Sequence, residues 1–294
     1  MERWPSGEQH EIVLGDQRAV VTEVGATLRE YSVGGREILD GFAAEDVCSG
    51  GRGQVLVPWP NRVRDGAYEF GSKLRQLPLS EPERHHAIHG LVRWVPWRPL
   101  ERTAARISLG FTIHPQPGYP FLLDLVVEYS LGAEGLRSTC RAENRGPEPA
   151  PFGVGSHPYL KPRGTLEAAL LRVPARTYLE VDERLIPTGR RLQVEGTPYD
   201  FRRPRPVGAM VLDTCYADLD EPGLEFDGLS VRWDSGHAFV QVFTGDTLGA
   251  DRRRRGLAAE PMSCPPNAFN SGEGLVVLEP GGVWSGSWGI SAGT

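Results

Sequence analysis

The stretch Arg106-Ile107-Ser108-Leu109-Gly110-Phe111-Thr112-Ile113 decides the fold class, because apolar side chains recur along it at every second position. Residues 121–130 repeat this pattern, with apolar side chains at 121, 123, 125, 127 and 129. A period of two is typical of a β-strand that buries one face. Two such runs in succession predict a pair of antiparallel strands.

Shorter runs of the same kind occur along the rest of the chain. They predict strands at Glu11–Leu14, Arg18–Val24, Thr27–Val33, Ala67–Phe70, Leu136–Glu143, Leu166–Val173, Thr177–Val181, Leu229–Trp233, Ala238–Phe243, Gly274–Glu279 and Trp284–Ile290. The 36 glycines and 25 prolines interrupt nearly every longer stretch, which argues against long helices. Pro280-Gly281-Gly282 predicts a turn joining the last two strands. An all-β fold, a large β-sandwich forming one domain over residues 1–294, is therefore expected.

The bulk composition argues against several classes of partner. A net charge of −6 and an isoelectric point near 5.7 disfavour nucleic-acid binding. No apolar run reaches the ~20 residues of a membrane helix, so no membrane partner is expected. The N-terminus shows no secretory signal, and the four cysteines (48, 140, 215 and 264) are widely spaced. Free, mostly buried thiols in a cytoplasmic protein are therefore predicted.

Four short polar segments carry groups that move protons or bind oxygen atoms. They are Pro60-Asn61-Arg62, Ile88-His89-Gly90, Gly155-Ser156-His157-Pro158-Tyr159 and Ala259-Glu260-Pro261. A sheet-rich chain brings its turns and strand ends together, so these groups are expected in one cleft. An arginine, two histidines and a glutamate make an acid–base site that needs no cofactor and no metal.

Two residues in these segments fit the roles of acid and base. His157 follows glycines and precedes a proline, an arrangement that holds an imidazole rigidly at a cleft. Glu260 lies among apolar residues, where a carboxylate has a raised pKa or is paired. The alternatives are an ordinary turn histidine and a glutamate paired with one of Arg252–Arg255. Arg62 is expected to bind hydroxyls or an oxyanion, with Trp59 stacking on a sugar face.

The other histidines receive ordinary interpretations. The run His85-His86-Ala87-Ile88-His89-Gly90 resembles a metal-binding cluster, but a proline precedes it and a glycine ends it. That context is wrong for a helical H-x-x-x-H pair, so no metal is expected. His10, His114 and His237 are predicted at surface or strand positions.

Taken in order, the N-R, H-G, G-x-H-P-Y, D-x-x-x-x-D-L and E-P motifs resemble the aldose 1-epimerase (galactose mutarotase-like) family over nearly the whole chain. The resemblance implies an antiparallel β-supersandwich with an open cleft and no cofactor. It implies that Glu260 is the general base and His157 the general acid. The implied sugar-binding residues are Asn61, Arg62, His89, Asp213 and Gln241.

One departure concerns the substrate. The mutarotases proper usually show H-G-G, whereas here Gly90 is followed by Leu91-Val92-Arg93-Trp94, which resembles the hexose-6-phosphate epimerase branch. Arg93 and the run Arg252–Arg255 are both candidates for binding a 6-phosphate. The expected function is therefore an aldose 1-epimerase acting on a hexose, with a hexose-6-phosphate 1-epimerase as the alternative.

Two other functional classes remain open at the level of sequence. A glycoside hydrolase needs two carboxylates flanking the scissile bond, and Glu260 and Asp213 would supply them. A carbohydrate-binding module without catalysis would use the same fold and cleft. In each case the expected partner is a small sugar, and the protein is expected to be a monomer or a weak homodimer.

Overall fold

The computed structural model describes residues 4–292, and almost all of its regular structure is β-strand. The first strands are β1 (Gln9–Leu14), β2 (Gln17–Thr22), β3 (Leu28–Val33), β4 (Arg36–Glu37), β5 (Val55–Leu56), β6 (Arg62–Arg64), β7 (Ala67–Phe70), β8 (Lys73–Gln76) and β9 (His86–Ile88). The middle strands are β10 (Arg98–Arg102), β11 (Arg106–Ile113), β12 (Leu123–Gly132), β13 (Gly135–Asn144), β14 (Ala150–Phe152), β15 (Gly155–Ser156), β16 (Tyr159–Leu160), β17 (Leu170–Arg172), β18 (Ala175–Val181) and β19 (Pro187–Gln193). The last are β20 (Arg205–Pro206), β21 (Asp213–Leu219), β22 (Gly223–Phe226), β23 (Leu229–Trp233), β24 (Phe239–Phe243), β25 (Leu257–Met262), the single-turn helix α1 (Ala268–Ser271), β26 (Val276–Leu278) and β27 (Val283–Ala292).

The alternating runs at the centre of the sequence form the meander β11–β12–β13, as predicted. β12 alternates buried and half-buried residues along all ten positions, which is the pattern of a strand with one face in the core. These strands belong to a nine-stranded sheet in the order β10-β11-β12-β13-β27-β23-β22-β17-β20. Every strand pairing in this sheet is antiparallel.

A second large sheet carries two of the four polar segments, and the other two lie on the separate antiparallel pair β6–β9. The order of this large sheet is β19-β18-β21-β24-β25-β15-β5, with β16 pairing alongside β25. One continuous cluster of buried side chains includes residues of both large sheets, among them Leu125 and Val127 of β12 and Val240 and Val242 of β24. The all-β antiparallel prediction is confirmed. Within residues 4–292 no helix has the length and apolar character needed to cross a membrane.

Some local predictions were wrong. The run Leu166–Val173 forms a strand only at Leu170–Arg172, because residues 166–168 form a turn. The predicted turn at Pro280–Gly282 is present and connects β26 to β27. These two strands do not pair with each other, because β26 pairs with β14 and β27 pairs with β13 and β23. All four cysteines are free and buried, as predicted.

Candidate active site

Neighbouring strands of the second large sheet position the proposed acid and base. Gln241 of β24 lies directly across from Glu260 of β25. β15 and β16, which flank His157 in the chain, both pair with β25 in the same register, so His157 falls opposite Glu260. Cross-strand neighbours on one face of a sheet lie close together, so the register alone brings these three side chains together.

His157 and Glu260 are in contact and almost wholly buried. The Nε2 atom of His157 lies 3.4 Å from Oε1 of Glu260, and the two residues are 4% and 2% exposed. Burial lowers the pKa of His157 to about 3. Burial, reinforced by Asp213, raises the pKa of Glu260 well above its ordinary value. Both shifts disfavour the charged forms, so burial favours a neutral imidazole beside a protonated carboxyl group.

His89 completes the floor of the cleft, and its hydrogen bonds assign its protonation. The backbone N–H of Asn61 donates to Nδ1 of His89 at 3.2 Å, while the backbone N–H of His89 donates to the carbonyl of Asn61 at 2.9 Å. Burial lowers the pKa of His89 well below its ordinary value, so the ring is neutral. With Nδ1 accepting, the ring proton is on Nε2, which makes His89 a hydrogen-bond donor toward the cleft.

The same tautomer bears on metal binding. Ligand atoms of His89, His157 and Glu260 all lie within 4.8 Å of one another, and all three residues are buried. A metal on Nε2 of His89 would require Nδ1 to carry the proton, and that proton would face the N–H of Asn61. The hydrogen bonding of His89 therefore favours donation to a substrate oxygen over coordination of a metal.

Two glycines allow the backbone to approach the histidines closely. Gly90 has φ +71°, and a Cβ there would lie 2.0 Å from the carbonyl oxygen of Val57. Gly51 has φ +75°, and a Cβ there would lie 2.8 Å from Cδ2 of His157. Any side chain at either position would displace a catalytic-site histidine or the strand beside it.

Arg62 is fixed by a carboxylate that the sequence analysis missed. Its Nε and Nη2 atoms donate to the two oxygens of Glu81 at 2.8 and 3.0 Å, and both side chains are buried. The remaining nitrogen, Nη1, faces Asp213 at 3.8 Å. Glu81 precedes Pro82 in a polar loop and carried no recognisable motif, so only the tertiary structure identifies it.

Asp213 lines the other side of the cleft, and Gln241 contacts it without lining the cleft itself. The Nε2 atom of Gln241 donates to Oδ1 of Asp213 at 2.5 Å, which orients the carboxylate. Gln241 is buried, whereas the side chain of Asp213 is 26% exposed and reaches the cleft. Asp213 therefore presents an acceptor for sugar hydroxyls beside Arg62.

Arg93 also lines this cleft, which encloses about 470 Å³. Its guanidinium donates only to Oε1 of Gln54 at 3.4 Å and to the carbonyl of Ile88 at 3.3 Å, and within residues 4–292 it forms no ion pair. Burial lowers the pKa of Arg93. The guanidinium stands 5.7 Å from the ring of Trp94, which is 56% exposed at the cleft. Sequence analysis had noted Trp94 without giving it a role.

Three predictions about this region were wrong. Trp59 does not face the cleft, because it is buried and packs against Phe269 with ring centroids 5.5 Å apart. The run Arg252–Arg255 lies outside the cleft, since its ion pairs are made with the carboxylates of Asp40, Asp46, Glu167, Asp246 and Asp251. His237 is buried and lies outside any strand, contrary to prediction, whereas His10 lies in β1 as predicted.

The all-β fold and its polar cleft fit the class of protein expected from the sequence motifs, and comparison with known proteins identifies the family. The aldose 1-epimerase family model matches residues 10–291. The uncharacterized protein YihR of Escherichia coli K12 is 38% identical over 94% of this chain and 90% of its own length. The aldose epimerase homologue from C. elegans superposes with a TM-score of 0.86 at 19% identity, covering 98% of this chain and 99% of that one. The chain therefore belongs to the aldose 1-epimerase family.

Membership in this family makes the protein an isomerase, which favours that class over the glycoside hydrolase and the carbohydrate-binding module. Galactose mutarotase of Mus musculus is a more distant relative, 30% identical over 166 residues. That match covers 55% of this chain and 48% of the mouse protein, so it spans about half of each.

Proposed function

We propose that the protein interconverts the α and β anomers of a hexose, with Glu260 as general base and His157 as general acid. The observation that carries this proposal is the 3.4 Å contact between Nε2 of His157 and Oε1 of Glu260 at the buried end of an open cleft. The two oxygens that exchange protons in this reaction, O1 and O5, are both bonded to C1 of the sugar. A neighbouring acid and base therefore suit the pair of oxygens.

Ring opening and closure use the dyad twice. Glu260 removes the proton of the C1 hydroxyl while His157 protonates O5, and the C1–O5 bond breaks to give the open aldehyde. Rotation about C1–C2 presents the other face of the carbonyl, and the roles reverse on closure. One proton enters and one leaves in each half, so the dyad regains its original single proton.

The remaining side chains orient the sugar. We assign hydroxyl binding to Arg62, His89, Asp213 and Gln241, with Asn61 holding His89 in place. Arg62 and Nε2 of His89 offer donors, and Asp213 offers an acceptor, which matches the dual character of a sugar hydroxyl. Holding the ring at the dyad supplies the proximity contribution to the rate.

An NMR anomer-exchange assay tests the proposal. Purified protein is added to equilibrated glucose or galactose, and exchange between the C1 signals of the two anomers is measured with and without EDTA. We expect faster exchange that EDTA does not abolish. Failure of every aldose to respond, or loss of activity with EDTA, would contradict the proposal.

Arg93 favours a second candidate, in which the hexose carries a 6-phosphate. A half-buried guanidinium without a carboxylate partner among residues 4–292 is a ready site for an anionic group. An Arg–phosphate contact contributes about 1.5–3 kcal/mol, a preference of roughly tenfold to hundredfold. Comparing kcat/KM for glucose and glucose 6-phosphate, in the wild type and in Arg93→Ala, decides between the substrates. A strong preference for the phosphosugar that Arg93→Ala removes would establish the second candidate, while equal rates would dismiss it.

A further inference from the structure

A fully buried ion pair stands next to the catalytic histidine and has no part in the reaction as described so far. Arg52 donates to Oδ2 of Asp40 from Nε at 3.2 Å and from Nη2 at 2.9 Å, and the side chains are 2% and 1% exposed. Arg52 also donates to the carbonyl oxygen of Asp40 at 3.0 Å. The far oxygen of the carboxylate, Oδ1, meets Arg255 at 3.2 Å near the surface.

The ring of Tyr159 connects this pair to His157. The imidazole of His157 stacks on that ring with centroids 5.0 Å apart and planes 13° apart. The guanidinium of Arg52 lies over the same ring, 4.3 Å from its centroid. The hydroxyl of Tyr159 donates to the carbonyl of Gly50 at 2.9 Å, which fixes the far end of the ring.

Burying such an ion pair is costly. Removing two charges from water costs several kcal/mol each, and well-packed apolar side chains of similar size commonly give equal or greater stability. The pair is therefore poorly explained as a device for stability. Its position, one aromatic ring away from the acid of the proposed reaction, suggests a role at the site.

We infer that Arg52 is a positioning residue for His157: held by Asp40, it anchors the ring of Tyr159 on which the imidazole lies and presents a fixed positive charge toward it. This inference rests on the proposed role of His157 as the general acid. Arg52 itself touches no reacting atom. Its effect on the reaction passes through the orientation and the proton affinity of His157.

Other charged or titratable groups also face His157, so the effect of Arg52 on the pKa of His157 has to be separated from theirs. Glu260 approaches from β25, His89 from the turn after β9, and Arg93 from the loop beyond it. Burial is the main cause that lowers the pKa of His157, and the charges of Arg93 and Arg52 lower it further. Of these two cations, Arg52 is the one fixed by a carboxylate, so its charge stays in place throughout turnover.

Arg52→Met tests the inference, because it removes the charge while leaving Asp40 its contact with Arg255. We expect kcat to fall about tenfold to hundredfold, as misplacement of a catalytic group does, with little change in KM. The acid limb of the kcat/KM profile should move to higher pH. NMR titration of the His157 ring should show the same displacement without reference to activity, so failure of the epimerase proposal would not obscure it.

Two variants make the test decisive. Arg52→Lys keeps the charge and should restore the acid limb, although not the full kcat. Arg172→Met removes an arginine paired with Glu221 and Glu225 on the other large sheet, and should leave the titration of His157 unchanged. If Arg52→Met does not fold, the uncharged double variant Arg52→Gln with Asp40→Asn replaces it. An unchanged His157 titration in a folded variant would overturn the inference, even if activity were lost.

Discussion

At the residue scale, the proposed chemistry uses a single proton shared by His157 and Glu260. Burial opposes charge on both groups, so neither residue behaves as it would in water. Arg62 acts in the opposite direction on Glu260, lowering its pKa, and sugar hydroxyls would add further donors. The charged arrangement that the reaction requires, carboxylate and imidazolium, contains the same number of protons as the neutral pair.

Replacing either member of the dyad should abolish most turnover. Glu260→Gln keeps the shape of the side chain and removes the base, so anomer exchange should fall by ~10²-fold or more while the sugar still binds. His157→Asn should have a similar effect on kcat. Both are measured by NMR exchange, with binding followed by calorimetry. His114→Asn, at an exposed histidine, is the control and should leave turnover unchanged.

The same pair predicts an unusual pH dependence. Because the pKa of His157 is lowered, a second proton binds the dyad only well below the ordinary histidine value of 6.5. Because the pKa of Glu260 is raised, the last proton leaves only well above the ordinary carboxyl value. The kcat/KM profile of the wild type should therefore be level through pH 6.5. An inflection near pH 6.5 would mean that a histidine with an ordinary environment controls the rate.

At the element scale, the sequence predicted the strands better than their pairing. Alternation identified β11 at its observed bounds and β12 within two residues at each end, and β12 alternates buried and half-buried positions as that pattern requires. It misjudged residues 166–169, where buried side chains belong to a turn. The register that sets His157 opposite Glu260 depends on contacts about a hundred residues apart in the chain, and no local pattern encodes it.

The candidate site, like the strands, was predicted from the sequence only in part. Groups with distinctive chemistry, such as His89 and Arg62, stood out in the sequence because glycines and prolines flank them. Glu81, Arg52 and Asp40 did not, because a buried ion pair is formed by tertiary packing and each partner alone is an ordinary charged residue. The family resemblance implied which groups react, and the structure added the residues that contact them.

Glu81, in the loop between β8 and β9, should be needed for both stability and activity, because it holds Arg62. Glu81→Gln removes the closest charged partner of Arg62 and leaves its buried guanidinium with only the longer contact to Asp213, so stability should fall by up to about 3–5 kcal/mol. Arg62 would then turn toward Asp213 and Glu260, so kcat/KM should fall as well. Thermal unfolding and NMR exchange measure the two effects. Glu69→Gln, at an exposed position of β7 outside the cleft, should change neither; a normal kcat/KM in Glu81→Gln would mean that Arg62 needs no anchor.

At the scale of the whole molecule, the large sheets share one apolar cluster, and buried polar groups are the exceptions within it. Some of these exceptions line the cleft, as His89 and Glu260 do. His10 is not, because it lies in the four-stranded sheet formed by β1–β4 and is 1% exposed. Neither of its ring nitrogens has a hydrogen-bond partner among the described residues.

His10 should make the fold sensitive to acid. Burial lowers its pKa, partly opposed by Glu8, so below pH 6.5 the unfolded chain binds a proton there that the folded chain does not. Stability is lost as the pH falls from 6.5, by up to about 1.4 kcal/mol per pH unit for one such group. His10→Leu removes this loss and also two unsatisfied polar atoms, so it should be more stable by ~1 kcal/mol at pH 7 and by more at pH 5. Thermal unfolding of both proteins at pH 7 and pH 5 measures the difference. If the two lose stability equally on acidification, His10 is not buried as the structure places it, and other histidines account for the acid sensitivity.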